Sequence, residues 1–85
     1  MKEKYKINRY GDVVTIDVEL EHATKLADYI VSLSCEVEEV RLQYATSTGK
    51  IIIKLNEIID EELIECFCKL YFHQKYKYKY EERNN

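Results

Sequence analysis

The hydrophobic residues of this 85-residue chain switch between two spacings, and the order of those switches constrains the fold more than any other feature. Val14, Ile16, Val18 and Leu20 alternate with Thr15, Asp17 and Glu19, the period-two pattern of a strand with one buried face. From His22 the spacing becomes helical. Ala23, Leu26, Ala27, Ile30 and Leu33 share one stripe, Thr24, Lys25 and Asp28 lie outside it, and the helix is expected to end near Cys35. Val40, Leu42 and Tyr44 then alternate with Glu39, Arg41 and Gln43. After Thr46-Ser47-Thr48-Gly49, Ile51, Ile53 and Leu55 share one face of a strand from Lys50 to Leu55. A hairpin is expected here, with Gly49 supplying a positive φ. Asn56 stands where a helix N-cap belongs, and Glu57, Asp60, Glu61 and Glu62 follow in the first turns, where negative charge complements the helix dipole. Ile59, Leu63, Cys66, Phe67 and Leu70 are the expected inward residues of this second helix.

Two segments read either way. Lys75, Lys77 and Lys79 alternate with Tyr76, Tyr78 and Tyr80, which suggests an edge strand with its tyrosines inward and its lysines discouraging edge pairing. The alternative is a long C-terminal helix, since no Pro or Gly interrupts it. Within residues 4–12, Tyr10-Gly11-Asp12 either breaks the first strand or turns a short N-terminal hairpin. With the terminal strand, the chain is an α+β domain of order βαββαβ, the ferredoxin-like sandwich of an antiparallel sheet with two helices on one face. With the helix, the order is βαββα. Residues 1–85 form one domain in either case.

The stretch from Val13 to Tyr71, including VEEVRLQYATSTGKIIIKL, resembles the heavy-metal-associated domain family. That resemblance implies the same ferredoxin-like fold and places a metal loop after the first strand, where the family carries Met-x-Cys-x-x-Cys. Here that place reads Leu20-Glu21-His22-Ala23-Thr24-Lys25, with no thiolate to select a soft metal, so no metal or other cofactor is expected. Cys66 and Cys68 are two apart on the expected helix and point to faces about 200° apart, too divergent to grip one ion. With Cys35 they read as reduced core thiols, in keeping with a cytoplasmic chain.

Size and composition exclude much else. A chain this short buries roughly 60% of its unfolded surface and leaves little room for a deep substrate pocket. No run of apolar residues is long enough for a membrane helix, and the first residues lack a signal peptide's apolar stretch. His22 and His73 are the only histidines, and neither sits beside a nucleophile motif; His73 reads as a cation near a helix C-terminus. Glu61 and Glu65 lie one helical turn apart in solvent, a poor arrangement for acid–base work. With two glycines in the chain there is no phosphate loop, so catalysis is not expected. The face that RNA recognition modules line with aromatics would here present Lys50, Ile52, Lys54, Thr15, Asp17 and Glu19.

What remains is charge. Between Asp12 and Glu65 there are 13 acids and 4 bases, while both ends of the chain are basic. The expectation is a non-enzymatic module that binds a protein partner with a basic surface through Glu36, Glu38, Glu39, Asp60, Glu61 and Glu62. Its concrete form is a small phage-type inhibitor of a host nucleic-acid-binding complex, in the manner of anti-CRISPR proteins. The alternatives are a nucleic-acid-binding module using Lys75, Tyr76, Lys77, Tyr78, Lys79 and Tyr80, and a metal-free oligomerisation domain, with a homodimer through a sheet edge among its partners.

Overall fold

Gly11 has a φ of 63° and is the first of two residues between strands β1 (Tyr5–Tyr10) and β2 (Val13–Glu19), the position that a type II′ hairpin reserves for glycine. The N-terminal segment is therefore a strand of its own. The structure, a computed structural model, describes residues 4–34 and 36–84, with side chains through His73. Cys35, one of the three thiols, lies outside the described residues. After β2 come α1 (Leu20–Leu33), β3 (Val40–Tyr44), β4 (Thr48–Lys54) and α2 (Glu61–Asn84). All strand pairs are antiparallel and the sheet order is β1-β2-β4-β3. The fold is α+β, a four-stranded antiparallel sheet with two helices.

One core lies between the sheet and the helices. Val14, Ile16, Val18, Ile51 and Ile53 come from the two central strands, and Ala23, Leu26, Ala27 and Ile30 from α1. Ile64, Phe67, Cys68, Tyr71 and Phe72 come from α2, with Leu55 and Ile59 from the preceding loop. Pairing puts Val14, Ile16 and Val18 opposite Ile53, Ile51 and Gly49, so these residues share the helix-covered face. Thr15, Asp17, Lys50 and Ile52 fall on the open face.

The hairpin glycine acts differently from the expectation. Gly49 has no positive φ; it is a strand residue between Tyr44 and Val18 in the ladder. A Cβ built there would lie far inside van der Waals contact with the Ala23 Cβ. Gly49 and Ala23 together let α1 settle low over β4, between β3 and β2 but nearer β3. Leu20 likewise leaves β2: it opens α1 and is 39% exposed, its N–H donating to the Ser47 carbonyl at 3.3 Å. Leu33, in the last turn of α1, is 45% exposed.

The second helix begins later than Asn56 suggests. Asn56 Oδ1 accepts from the N–H groups of Ile58 and Ile59 at 2.8 and 2.7 Å, capping a turn that precedes the helix. Asp60 Oδ1 accepts from the Leu63 N–H at 2.9 Å and caps α2 itself. The buried stripe consequently runs through Ile64, Phe67, Cys68, Tyr71 and Phe72. Leu63 is only half-buried, while Cys66 and Leu70 are exposed.

Residues 75–80 are helical. The expected edge strand is absent because its place beside β2 is taken by β1, and because nothing in the segment interrupts the hydrogen-bonding run of α2. His73, expected near a helix C-terminus, is an exposed residue in mid-helix, far from the dipole end.

Gly49→Ala is expected to lower stability by about 1–3 kcal/mol, since the added methyl must push α1 off the sheet. In thermal melts followed by circular dichroism, Ala23→Gly combined with Gly49→Ala should recover part of the loss, whereas two independent defects would add. Asp60→Ala should cost about 1 kcal/mol through loss of the α2 cap.

Candidate functional site

The backbone brings the two acidic segments of the sequence to one end of the molecule. The α1–β3 loop supplies Glu36, Glu38 and Glu39, and the start of α2 supplies Asp60, Glu61 and Glu62. Asn56 Nδ2 donates to the Glu36 carbonyl at 3.0 Å, and the Lys54 N–H donates to the Glu39 carbonyl at 3.3 Å, tying the β4–α2 loop to the α1–β3 loop. The β1–β2 turn joins the same end, because the Leu55 N–H donates to the Asp12 carbonyl at 2.7 Å. Asp12, Glu57 and the six expected acids therefore surround one surface, all exposed except the half-buried Glu61.

Three cations at this end, Arg9, Arg41 and the exposed Lys54, which lines a groove with Glu39 and Arg41, partly offset them. Arg9 Nη1 lies 3.9 Å from Glu61 Oε1, and Arg9 Nε donates to the Gly11 carbonyl at 2.9 Å. Arg41 Nη2 lies 3.7 Å from Glu39 Oε2. Both pairs are solvent-exposed, so each contributes at most about 1 kcal/mol and neither neutralises the surface. Among these charges Ile58 stands 59% exposed, at the tip of the turn that Asn56 caps. Tyr10, 64% exposed, stands beside the β1–β2 turn. Charge counting along the sequence found the acids; it missed Ile58, because an isoleucine followed by another isoleucine before a helix reads as core.

The opposite end of the sheet is aromatic. Tyr5 stacks on Phe72 with ring centroids 5.7 Å apart, and His22 packs edge-on against Tyr71 and Phe72. His22 Nδ1 and the Tyr71 hydroxyl are hydrogen-bonded at 3.1 Å, and His22 Nε2 is 3.9 Å from Glu21. Burial, with Glu21 adding to it, raises the pKa of Tyr71 above its ordinary value. This bond joins residues 49 apart in sequence and binds the first turn of α1 to α2, so His22 is a packed structural histidine. No pattern along the chain marks it.

The two described thiols do not come together. Cys66 is exposed and Cys68 buried, as residues two apart on a helix must diverge. Among the described residues no group of three His, Cys, Asp or Glu side chains is placed to hold a metal ion. The side chains of Lys75, Tyr76, Lys77, Tyr78, Lys79 and Tyr80 lie outside the described residues, and a helical backbone removes the two-faced separation that strand alternation would have given them. On the open face of the sheet, Tyr10 is the only aromatic residue contributed by the described strands. Among the described residues no helix is long and apolar enough to cross a membrane. Comparison with family models, with curated proteins and with solved structures returns no match.

Burial, with Glu65 adding to it, pushes the Cys68 thiol up to about 12. A thiol whose folded pKa lies above its unfolded value favours folding below the unfolded pKa. That contribution is lost as pH rises from near 9 toward 12. Peptide mapping after treatment with a thiol reagent near neutral pH should accordingly find Cys66 modified and Cys68 untouched until denaturant is added.

Proposed function

We propose that this chain is a non-enzymatic protein-binding module whose working surface is the acidic end of the sheet. The observation that carries the reading is the convergence of Glu36, Glu38, Glu39, Asp60, Glu61 and Glu62 around the exposed Ile58. Charge of one sign steers a basic partner and sets its orientation, while an apolar side chain on the same end, desolvated on docking, holds it. The loops are cross-tied by backbone and Asn56 hydrogen bonds, so little ordering cost attends docking. A basic nucleic-acid channel on a host protein is complementary to this surface in the sign of its charge, and occupying one is what a phage-type inhibitor would do.

The architecture that presents this surface is a ferredoxin-like sandwich in permuted order. The strand that would close such a sheet from the C-terminus here enters from the N-terminus, and α2 is left free to continue past the sheet.

Immobilised protein should capture from host lysate a basic protein whose association slows as salt rises. Lysine at positions 36, 38 and 39 should reduce the association rate by about tenfold or more, and Ile58→Asp should mainly speed dissociation, both with unchanged melting temperature. Capture that ignores all of these substitutions would refute the reading.

A further inference from the structure

The outer side of β3 combines an unpaired strand edge with an exposed apolar stripe of α1. β3 ends the sheet order. The Lys54 N–H donates to the Glu39 carbonyl and the Ala45 N–H to the Thr48 carbonyl, at 3.3 and 2.9 Å. Continued through the β3–β4 register, these bonds turn the backbone groups of residues 39, 41, 43 and 45 toward β4. The N–H and C=O groups of Val40, Leu42 and Tyr44 therefore point away from the sheet. The other outer strand, β1, carries Lys6 and Arg9 and is flanked by α2 through the Tyr5–Phe72 stack, the kind of charged and covered edge that resists pairing. β3 carries a single charge, Arg41, which is engaged with Glu39, and it has no lysine, proline or bulge.

On α1, Leu20, Thr24 and Val31 fall on one stripe, spaced four and seven residues apart. Thr24 Oγ1 is 2.9 Å from the Tyr44 hydroxyl, which fixes that stripe on the β3 side. His22 and Tyr29, on the opposite side of the helix, pack against Tyr71 of α2. Leu20, Val31 and Tyr44 are 39, 49 and 59% exposed, so three of the exposed large hydrophobic residues line the same side as the open edge.

We propose that the chain forms a two-fold dimer by antiparallel pairing of β3 with β3 of a second copy, continuing one sheet across the interface and setting the two α1 helices side by side. Centred on Leu42, the pairing opposes Leu42 with the partner's Leu42, Val40 with the partner's Tyr44 and Arg41 with the partner's Gln43. No like charges meet in this register, whereas centring on Arg41 would oppose two arginines. Paired strands lie about 4.8 Å apart, and α1 sits over β3 and β4, so the two helices come to roughly 10 Å, the upper end of ordinary helix packing. A closed, isologous pair of this kind uses up the edge and does not propagate. It leaves the two acidic ends pointing in opposite directions, and it stands independently of the proposed partner surface.

Sedimentation velocity of the full chain in reducing buffer, from micromolar to millimolar concentration, tests the proposal. A reversible monomer–dimer equilibrium is expected. Tyr44→Pro removes an outward N–H without touching the β3–β4 ladder, and Val31→Glu charges an exposed helix position; each should raise the dimer dissociation constant by about tenfold or more. Lys6→Glu, on the other edge, should leave it unchanged. A chain that stays monomeric at every concentration overturns the proposal, as does a dimer that withstands Val31→Glu and Tyr44→Pro or one that responds to Lys6→Glu instead.

Discussion

The close approach of Ala23 to Gly49 is the contact on which the rest of the structure depends. A helix can lie low over a sheet only where side chains are missing from both surfaces, and here the two smallest residues face each other between α1 and β4. With α1 held there, Leu26 and Ile30 reach Ile16, Ile51 and Ile53, all fully buried. Burying each such aliphatic side chain contributes about 1.5–3 kcal/mol, so a one-methyl change at the contact disturbs several of these at once.

The position of α1 also dictates that of α2. His22 and Tyr29 leave the far side of α1 as an aromatic wall, and Tyr71 and Phe72 pack on it. Tyr5 then stacks on Phe72, which brings β1 under α2 and gives the sheet its outer strand beside β2. In a chain too small for a large core, this aromatic end supplies burial that aliphatic side chains alone would not.

Connectivity explains the acidic end. β3 starts where β4 finishes, and the β1–β2 turn lies beside them, so three loops must meet wherever the sheet has that order. Each loop is acidic for its own local reason: Asp60 caps α2 and Glu61 and Glu62 suit its first turn, while Glu36, Glu38 and Glu39 belong to an exposed connection. Their concentration at one end is a property of the fold.

Local periodicity was enough to determine β2, α1, β3 and β4, the buried residues Val14, Ile16, Val18, Ala23, Leu26, Ala27, Ile30, Ile51 and Ile53, and the identity of the acidic surface residues, because each depends on neighbours one to four positions away. What Gly49 does and that residues 75–80 are helical depended on residues far along the chain. Gly49 in isolation reads as a turn glycine, and only the arrival of Ala23 makes it a packing glycine. Lys-Tyr alternation suits a strand until β1 occupies the strand's place, after which the uninterrupted backbone hydrogen bonds of α2 prevail. The phase of α2 likewise shifted from Cys66 and Leu70 to Cys68 and Tyr71, since the helix turned its widest aromatic side chains toward His22. Sequence spacing specifies which faces can be buried; tertiary contact decides which of them are, because burial is shared between surfaces that only the folded chain brings together.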